Sequence, residues 1–173
     1  MRLVVLTAAC GAGKTTVKDI LNERGLPGNF TCIDTDEVGI NWHDYAGTDR
    51  EDSYSEDCLA AAARLSGGRD ILFSSCLNPN TFYGDFHIPE EIEGTWFIAM
   101  VCSDGELEKR LKARPPERMC GDREFIRSQI NYNNWFRKNR GKFQLFLDNT
   151  GMTAGETADL ISGFLSKLPG GGK

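Results

Sequence analysis

Short runs of apolar residues alternate along this chain with segments in which apolar residues recur every three to four positions, from one end to the other. The short runs, Arg2 to Thr7, Thr31 to Ile33, Asp70 to Ser74, Thr95 to Cys102 and Phe143 to Leu147, predict five strands. Several are almost continuously apolar, as strands covered by helices on both faces must be. Helices are predicted at Lys14 to Glu23, stopped by Gly25 and Pro27, at Ser55 to Leu65, stopped by Gly67 and Gly68, and at Gly105 to Ala113, stopped by Pro115 and Pro116. Two more run from Arg123 to Arg137 and from Ala154 to Leu168. Strands and helices in strict alternation are the pattern of βαβ units, so the fold class is α/β with a mostly parallel sheet.

Length and composition narrow the picture. With 173 residues, 40% hydrophobic and 26% charged, the chain predicts one globular domain over residues 1–168, followed by a glycine-rich tail, 169–173, to which no function is given. A net charge of −5 speaks against nucleic acid and anionic membranes as partners. The six cysteines are at least 18 residues apart, which leaves no C-x-x-C metal or redox pattern. Cys32, Cys76 and Cys102 fall in strand-like runs as small hydrophobes, the usage of a reducing compartment. Met1 to Leu6 is too short an apolar run for a signal peptide, and nothing approaches the ~20 apolar residues of a membrane span. A cytoplasmic protein, monomeric or homodimeric, is expected.

The chemistry concentrates in four segments. Ala8-Ala9-Cys10-Gly11-Ala12-Gly13-Lys14-Thr15 fits the phosphate-binding pattern G-x-x-x-x-G-K-[ST], with alanine in the first glycine position. It follows a strand and opens a helix, so backbone N–H groups and the positive helix end converge on one point, where a polyphosphate is stabilised. Gly11 and Gly13 let the backbone close around phosphates, Lys14 reaches the β- and γ-oxygens, and the Thr15 hydroxyl ligates Mg2+. Alanine at position 8 is tolerated where φ stays negative.

Asp34 and Asp36, two apart at the end of the second strand, supply the acids phosphoryl transfer uses: Asp34 near Mg2+, and Asp36 accepting the proton of the acceptor hydroxyl. Alternatively one caps the following helix and the other is solvated. Asp148, at the end of the last strand, competes with Asp34 for the metal. Arg110, Arg114, Arg118, Arg123 and Arg127 surround Pro115-Pro116; helical spacing puts Arg110 and Arg114 on one face, one to stack on an adenine and the other to donate to phosphate oxygens, or the whole set is a solvated face paired with glutamates. Trp42, His43, Tyr45 and Tyr54 suit a nucleoside base or a hydroxylated ring, or form the core of a small insertion. Ser74, Ser75 and Asn78 bind acceptor hydroxyls or end the strand, and Arg50, Arg64 and Arg69 hold an acidic acceptor if folding turns them inward.

These residues resemble the small P-loop kinases of the shikimate, gluconate, nucleoside and adenylate kinase group. The resemblance rests on the loop at Ala8 to Thr16, the D-T-D of Asp34 to Asp36, the R-L-x-x-R of Arg110 to Arg114, ILFSSCLNP after the third strand and LDNTGMTAGETADLI near the end. It implies a three-layer fold with a five-stranded parallel sheet in the order 2-3-1-4-5, a lid at about residues 114–123 and an acceptor stretch at about residues 41–56. It implies that ATP is held by Cys10, Gly11, Ala12, Gly13, Lys14, Thr15 and Thr16, with Arg110 on the adenine and Asn149, Thr150 and Gly151 as the adenine loop. Mg2+ falls to Thr15 and Asp34, and catalysis to Lys14, Asp36, Arg114 and Arg118. The implied activity is transfer of the γ-phosphoryl group of ATP to a hydroxyl of a small nucleoside-like or sugar-like molecule. Nucleoside monophosphate kinase activity, or nucleotide binding without turnover, are the alternatives. No arginine directly follows the aspartate pair, which departs from kinases of acidic or phosphorylated acceptors. The chain also lacks the N-K-x-D motif of a GTP-binding switch.

Overall fold

A computed structural model describes residues 1–115 and 120–169. Five strands, β1 (Arg2–Ala8), β2 (Phe30–Asp34), β3 (Asp70–Ser75), β4 (Gly94–Val101) and β5 (Leu145–Asp148), form one sheet in the order β2-β3-β1-β4-β5. Every neighbouring pair is parallel. The helices are α1 (Lys14–Arg24), α2 (Tyr54–Ser66), α3 (Pro79–Phe82), α4 (Asp104–Lys112), α5 (Arg123–Lys138) and α6 (Ala154–Leu165), with short 3-10 turns at Thr35–Glu37, Trp42–Asp44, Glu51–Ser53 and Arg140–Lys142.

Side chains of a strand alternate between faces, so each buried strand feeds two cores. Val4, Leu6 and Ala8 of β1 pack with Leu72, Ile98 and Met100 against Val17 and Leu21 of α1 and Ile161 and Leu165 of α6. Leu3 and Val5 turn the other way, with Ile71, Phe73, Phe97 and Ala99, onto Leu59 and Ala62 of α2 and Phe136 of α5. Three layers result, and the strand order and class follow the sequence reading. In a parallel sheet all carboxyl ends share one edge, and there the order reverses between β1 and its neighbours, opening a crevice for ligands.

Three differences from the sequence reading have local causes. Phe143 is not in β5: it follows the 3-10 turn at Arg140–Lys142 and packs its ring against Phe136 (5.6 Å between centroids), which anchors the chain before the strand begins. The final helix stops at Leu165, with Lys167 and Leu168 continuing only as turns. Cys76 lies one residue beyond β3 and is exposed, not packed as a strand residue. Among the described residues, no helix is long and apolar enough to cross a membrane.

Candidate active site

The loop between β1 and α1 lies at the carboxyl edge of the sheet. Ala8 is the last residue of β1, paired in register with Met100, so its backbone is extended and the missing glycine costs no strain. Gly11 (φ 87°) and Gly13 (φ 99°) adopt the left-handed conformation that favours glycine. Gly13 caps α1 without a side-chain hydrogen bond, so the first-turn N–H groups of α1 point into the loop as anion donors. A Cβ on Gly11 would lie 2.9 Å from Leu111 Cδ2 and 3.2 Å from Leu107 Cδ1, whereas one on Gly13 would meet nothing nearer than 3.8 Å. Leu107 and Leu111 are fully buried and have nowhere to move. Gly11→Ala is therefore expected to destabilise the fold by about 1–3 kcal/mol, more than Gly13→Ala, read as a lower urea midpoint at unchanged slope.

The sequence reading missed what braces this loop. Asn149, buried after β5, donates from Nδ2 to the Ala12 carbonyl (2.9 Å), and Arg110 Nη1 reaches the same oxygen at 3.5 Å. Gln129 of α5 accepts the Cys10 N–H (2.8 Å), and Tyr132 of α5 donates to the Cys76 carbonyl (2.7 Å). Lys14 Nζ donates to the Ala8 carbonyl (2.9 Å) and lies 3.9 Å from Cys76 Sγ.

Two cavities meet at the loop. One, of about 330 Å³, is lined by Gly11, Gly13, Thr15, Thr16, Arg110 and Asn149, with Arg114 at its border and Met152 and Thr157 beyond. The Arg110 guanidinium is oriented there by Glu106, whose Oε1 accepts from Nε at 2.8 Å. Thr150 and Gly151 do not line it: the Thr150 hydroxyl donates to Asp148 and accepts the Ser103 N–H. The second cavity, of about 620 Å³, brings Cys10, Lys14 and Thr15 together with Asp34 and Asp36. Arg114 lines both, its Nη1 2.9 Å from Cys10 Sγ and 3.7 Å from Cys120 Sγ. Burial pushes the Cys10 thiol pKa up despite that guanidinium. Arg118 lies outside the described residues, as does part of the lid stretch.

Asp34 is buried and does two things. It caps the turn Thr35–Glu37 by accepting the Asp36 N–H (3.1 Å), and it accepts the Ser74 hydroxyl (2.6 Å) while its carboxylate faces the cavity. The capping alternative thus holds for Asp34 without removing it from the site. Asp148 lines neither cavity; it accepts from Thr150 and from Arg137 Nη1 (3.4 Å). Asp36 is exposed on the cavity wall near Tyr54, whose hydroxyl is held well above its ordinary pKa by burial first, then by Cys58 and Asp36.

A further acid fixes this turn. Glu37 accepts the Asp34 N–H (3.0 Å) and the buried Lys18 ammonium of α1 (2.5 Å), tying the carboxylate pair to the helix that carries Lys14. Burial alone would raise the Glu37 pKa; the hydrogen bonds from Lys18 and the Asp34 N–H outweigh it and hold the carboxyl below its ordinary 4.5. A carboxyl lowered by folding stabilises above its unfolded pKa and loses that contribution as pH falls through the folded value. Glu37→Gln should be less stable than the parent at neutral pH, and urea titrations should show the gap closing as pH drops below 4.5.

Of the acceptor-side candidates, Trp42, Tyr54, Ser74 and Ser75 line the second cavity. Tyr45 is buried and donates to Asp57 (2.6 Å), and Arg50 binds the same Asp57 (3.0 Å) with its guanidinium over the Tyr45 ring. Asn78 caps α3. His43, Arg50, Arg64 and Arg69 do not line the cavity, so folding does not turn those arginines inward.

Thr15 and Asp34, an exposed hydroxyl and a carboxylate on one wall, fit a Mg2+ ion that takes one or two protein ligands and completes its shell with phosphate oxygens and water. Among the described residues, no group of three or more His, Cys, Asp or Glu side chains is arranged to hold a metal by itself.

Comparison with known proteins agrees with this geometry. The AAA domain family pattern matches residues 4–131. No curated protein matches the sequence. Similar solved structures include a shikimate kinase from Bacteroides thetaiotaomicron (16% identity, TM-score 0.61, covering 95% of this chain and 98% of that one). A gluconokinase from Sinorhizobium meliloti (18%, 0.60, 96% and 92%) and the tunicamycin resistance protein of Deinococcus radiodurans (13%, 0.62, 95% and 95%) are also similar. At such identities the likeness is one of fold, and it runs the length of the chain. By the family pattern over residues 4–131, the chain belongs to the AAA domain family, and by its sheet order and phosphate loop it has the fold of the small P-loop kinases.

Proposed function

We propose that the protein is a kinase that transfers the γ-phosphoryl group of ATP to a hydroxyl of a small molecule. The observation that carries this reading is the second cavity, in which Lys14 and Thr15 of the loop share a wall with the carboxylates of Asp34 and Asp36. The smaller cavity suits the adenosine part, between Arg110 and Asn149.

In this reading the loop N–H groups and Lys14 hold the β- and γ-phosphates, and Arg114, at the junction of the two cavities, donates to the group in transit. Thr15, with Asp34 beside it, would hold Mg2+, which would supply positive charge to the phosphate oxygens. Asp36 takes the proton from the acceptor hydroxyl. The acceptor oxygen forms a bond to the γ-phosphorus as the bond to the β–γ bridging oxygen breaks, leaving ADP and a phosphate ester.

The test is to incubate the protein with ATP, Mg2+ and a panel of nucleosides, sugars, sugar acids and nucleotides, recording ADP and the mass of each product. At least one acceptor is expected to raise ADP formation above water-driven hydrolysis and to gain a phosphoryl group. ATP binding with no acceptor raising turnover would make this a nucleotide-binding module instead.

A further inference from the structure

The 620 Å³ cavity also carries information about its second occupant. Part of its wall is aromatic and apolar: Trp42, Tyr54, Phe73 and Phe125, with Cys58. Trp42 stands at the mouth, 42% exposed, with its ring edge-on to Tyr54 at 5.0 Å. Tyr54 in turn meets Tyr45 at 5.3 Å, and Tyr45 is fixed by its bond to Asp57. A large aromatic ring left in solvent on a braced support, on the wall of a cavity, offers a face on which a ligand's ring can stack.

The wall carries charge of both signs. Among the described residues its cations are Lys14 and Arg114, both against the phosphate loop, at the Ala8 carbonyl and the Cys10 thiol. The same wall holds the carboxylates of Asp34, which accepts the Ser74 hydroxyl, and of Asp36. Arg50, which the sequence offers as an anion clamp, is engaged by Asp57 and Tyr45 instead. Among the described residues both cations of the wall are engaged at the phosphate loop, so an anionic acceptor would set its charge beside Asp34 and Asp36, and like charges so placed are disfavoured.

We infer that the acceptor is an uncharged alcohol carrying a flat, apolar ring, its ring covered by Trp42 and Tyr54 and its hydroxyl presented to Asp36. This rests on the kinase reading for the transfer step, but the binding preference stands apart from turnover and is measured apart from it.

The experiment uses matched triplets: p-nitrophenyl glucoside, methyl glucoside and p-nitrophenyl glucuronide, and likewise uridine, methyl riboside and uridine monophosphate. Each is assayed for phosphorylated product with Mg2+ and ATP, and for binding by calorimetry. In at least one triplet the neutral ring-bearing member should exceed both the ringless and the anionic member by about tenfold in kcat/KM. Trp42→Ala should remove the advantage over the ringless member and Trp42→Phe should restore most of it, with thermal unfolding unchanged in both. If an anionic member is used as well as its neutral counterpart, the acceptor class is wrong while the kinase reading survives. If nothing is phosphorylated, but the neutral ring-bearing member binds preferentially and loses that preference in Trp42→Ala, the acceptor class stands and the kinase reading falls. No preference in either binding or turnover overturns the inference.

Discussion

Replacing Lys14 with alanine is expected to lower the rate of phosphoryl transfer by about 100-fold or more, with the fold intact. The ammonium stands at the first residue of α1, directly after Gly13, and lines the cavity that also holds both aspartates. Charge that builds on the transferred group is stabilised there by fixed donors, and one lost donor costs far more at such a site than on an open surface. The fold has little at stake, because Lys14 is only half-buried and its hydrogen bond goes to the Ala8 carbonyl, which belongs to a strand paired on both sides. Steady-state kinetics with thermal unfolding as a control separates the two effects. An unchanged rate removes the loop from the mechanism, and a lost fold makes the lysine structural.

The sequence made the frame legible because frame and phosphate loop are local patterns. Strand β1 reads as an apolar run, α1 begins at the lysine of the loop motif, and every predicted strand overlaps an observed one. What escaped are pairings between distant residues. Gln129 is 119 positions from the Cys10 N–H it holds, and Asn149 is 137 from Ala12, so no periodicity or spacing announces either. The four-residue helix α3 is too short for a hydrophobic period to show. One alternative that the sequence reading left open had a visible signal. Asp34-Thr35-Asp36-Glu37 is an acid followed three residues later by a glutamate, the pattern of a capping box, and the structure closes it with Asp34 and Glu37 each holding the other end of the turn. Reading that pattern would have placed Asp34 on the cap and left Asp36 as the acid whose side chain the turn does not use.

That division of labour makes Asp36→Asn the sharpest test of the catalytic reading. It is expected to lower turnover by about 100-fold to 10,000-fold while changing ATP affinity little, since asparagine keeps the size of the side chain but cannot take a proton. The contribution of Asp36 to the turn is its backbone N–H, donated to Asp34 at 3.1 Å, and asparagine retains that bond. The cap, the Glu37 link to Lys18 and the position of Asp34 beside Thr15 should therefore survive the substitution. The ATP-side residues Arg110, Asn149 and Thr16 line the smaller cavity, which Asp36 does not touch, so nucleotide binding has no reason to weaken. Glu37→Gln is the matched control: it loosens the turn without altering the acid, and should move stability more than turnover. If Asp36→Asn instead loses ATP affinity and turnover in equal measure, Asp36 shapes the loop and the proton must leave by another group.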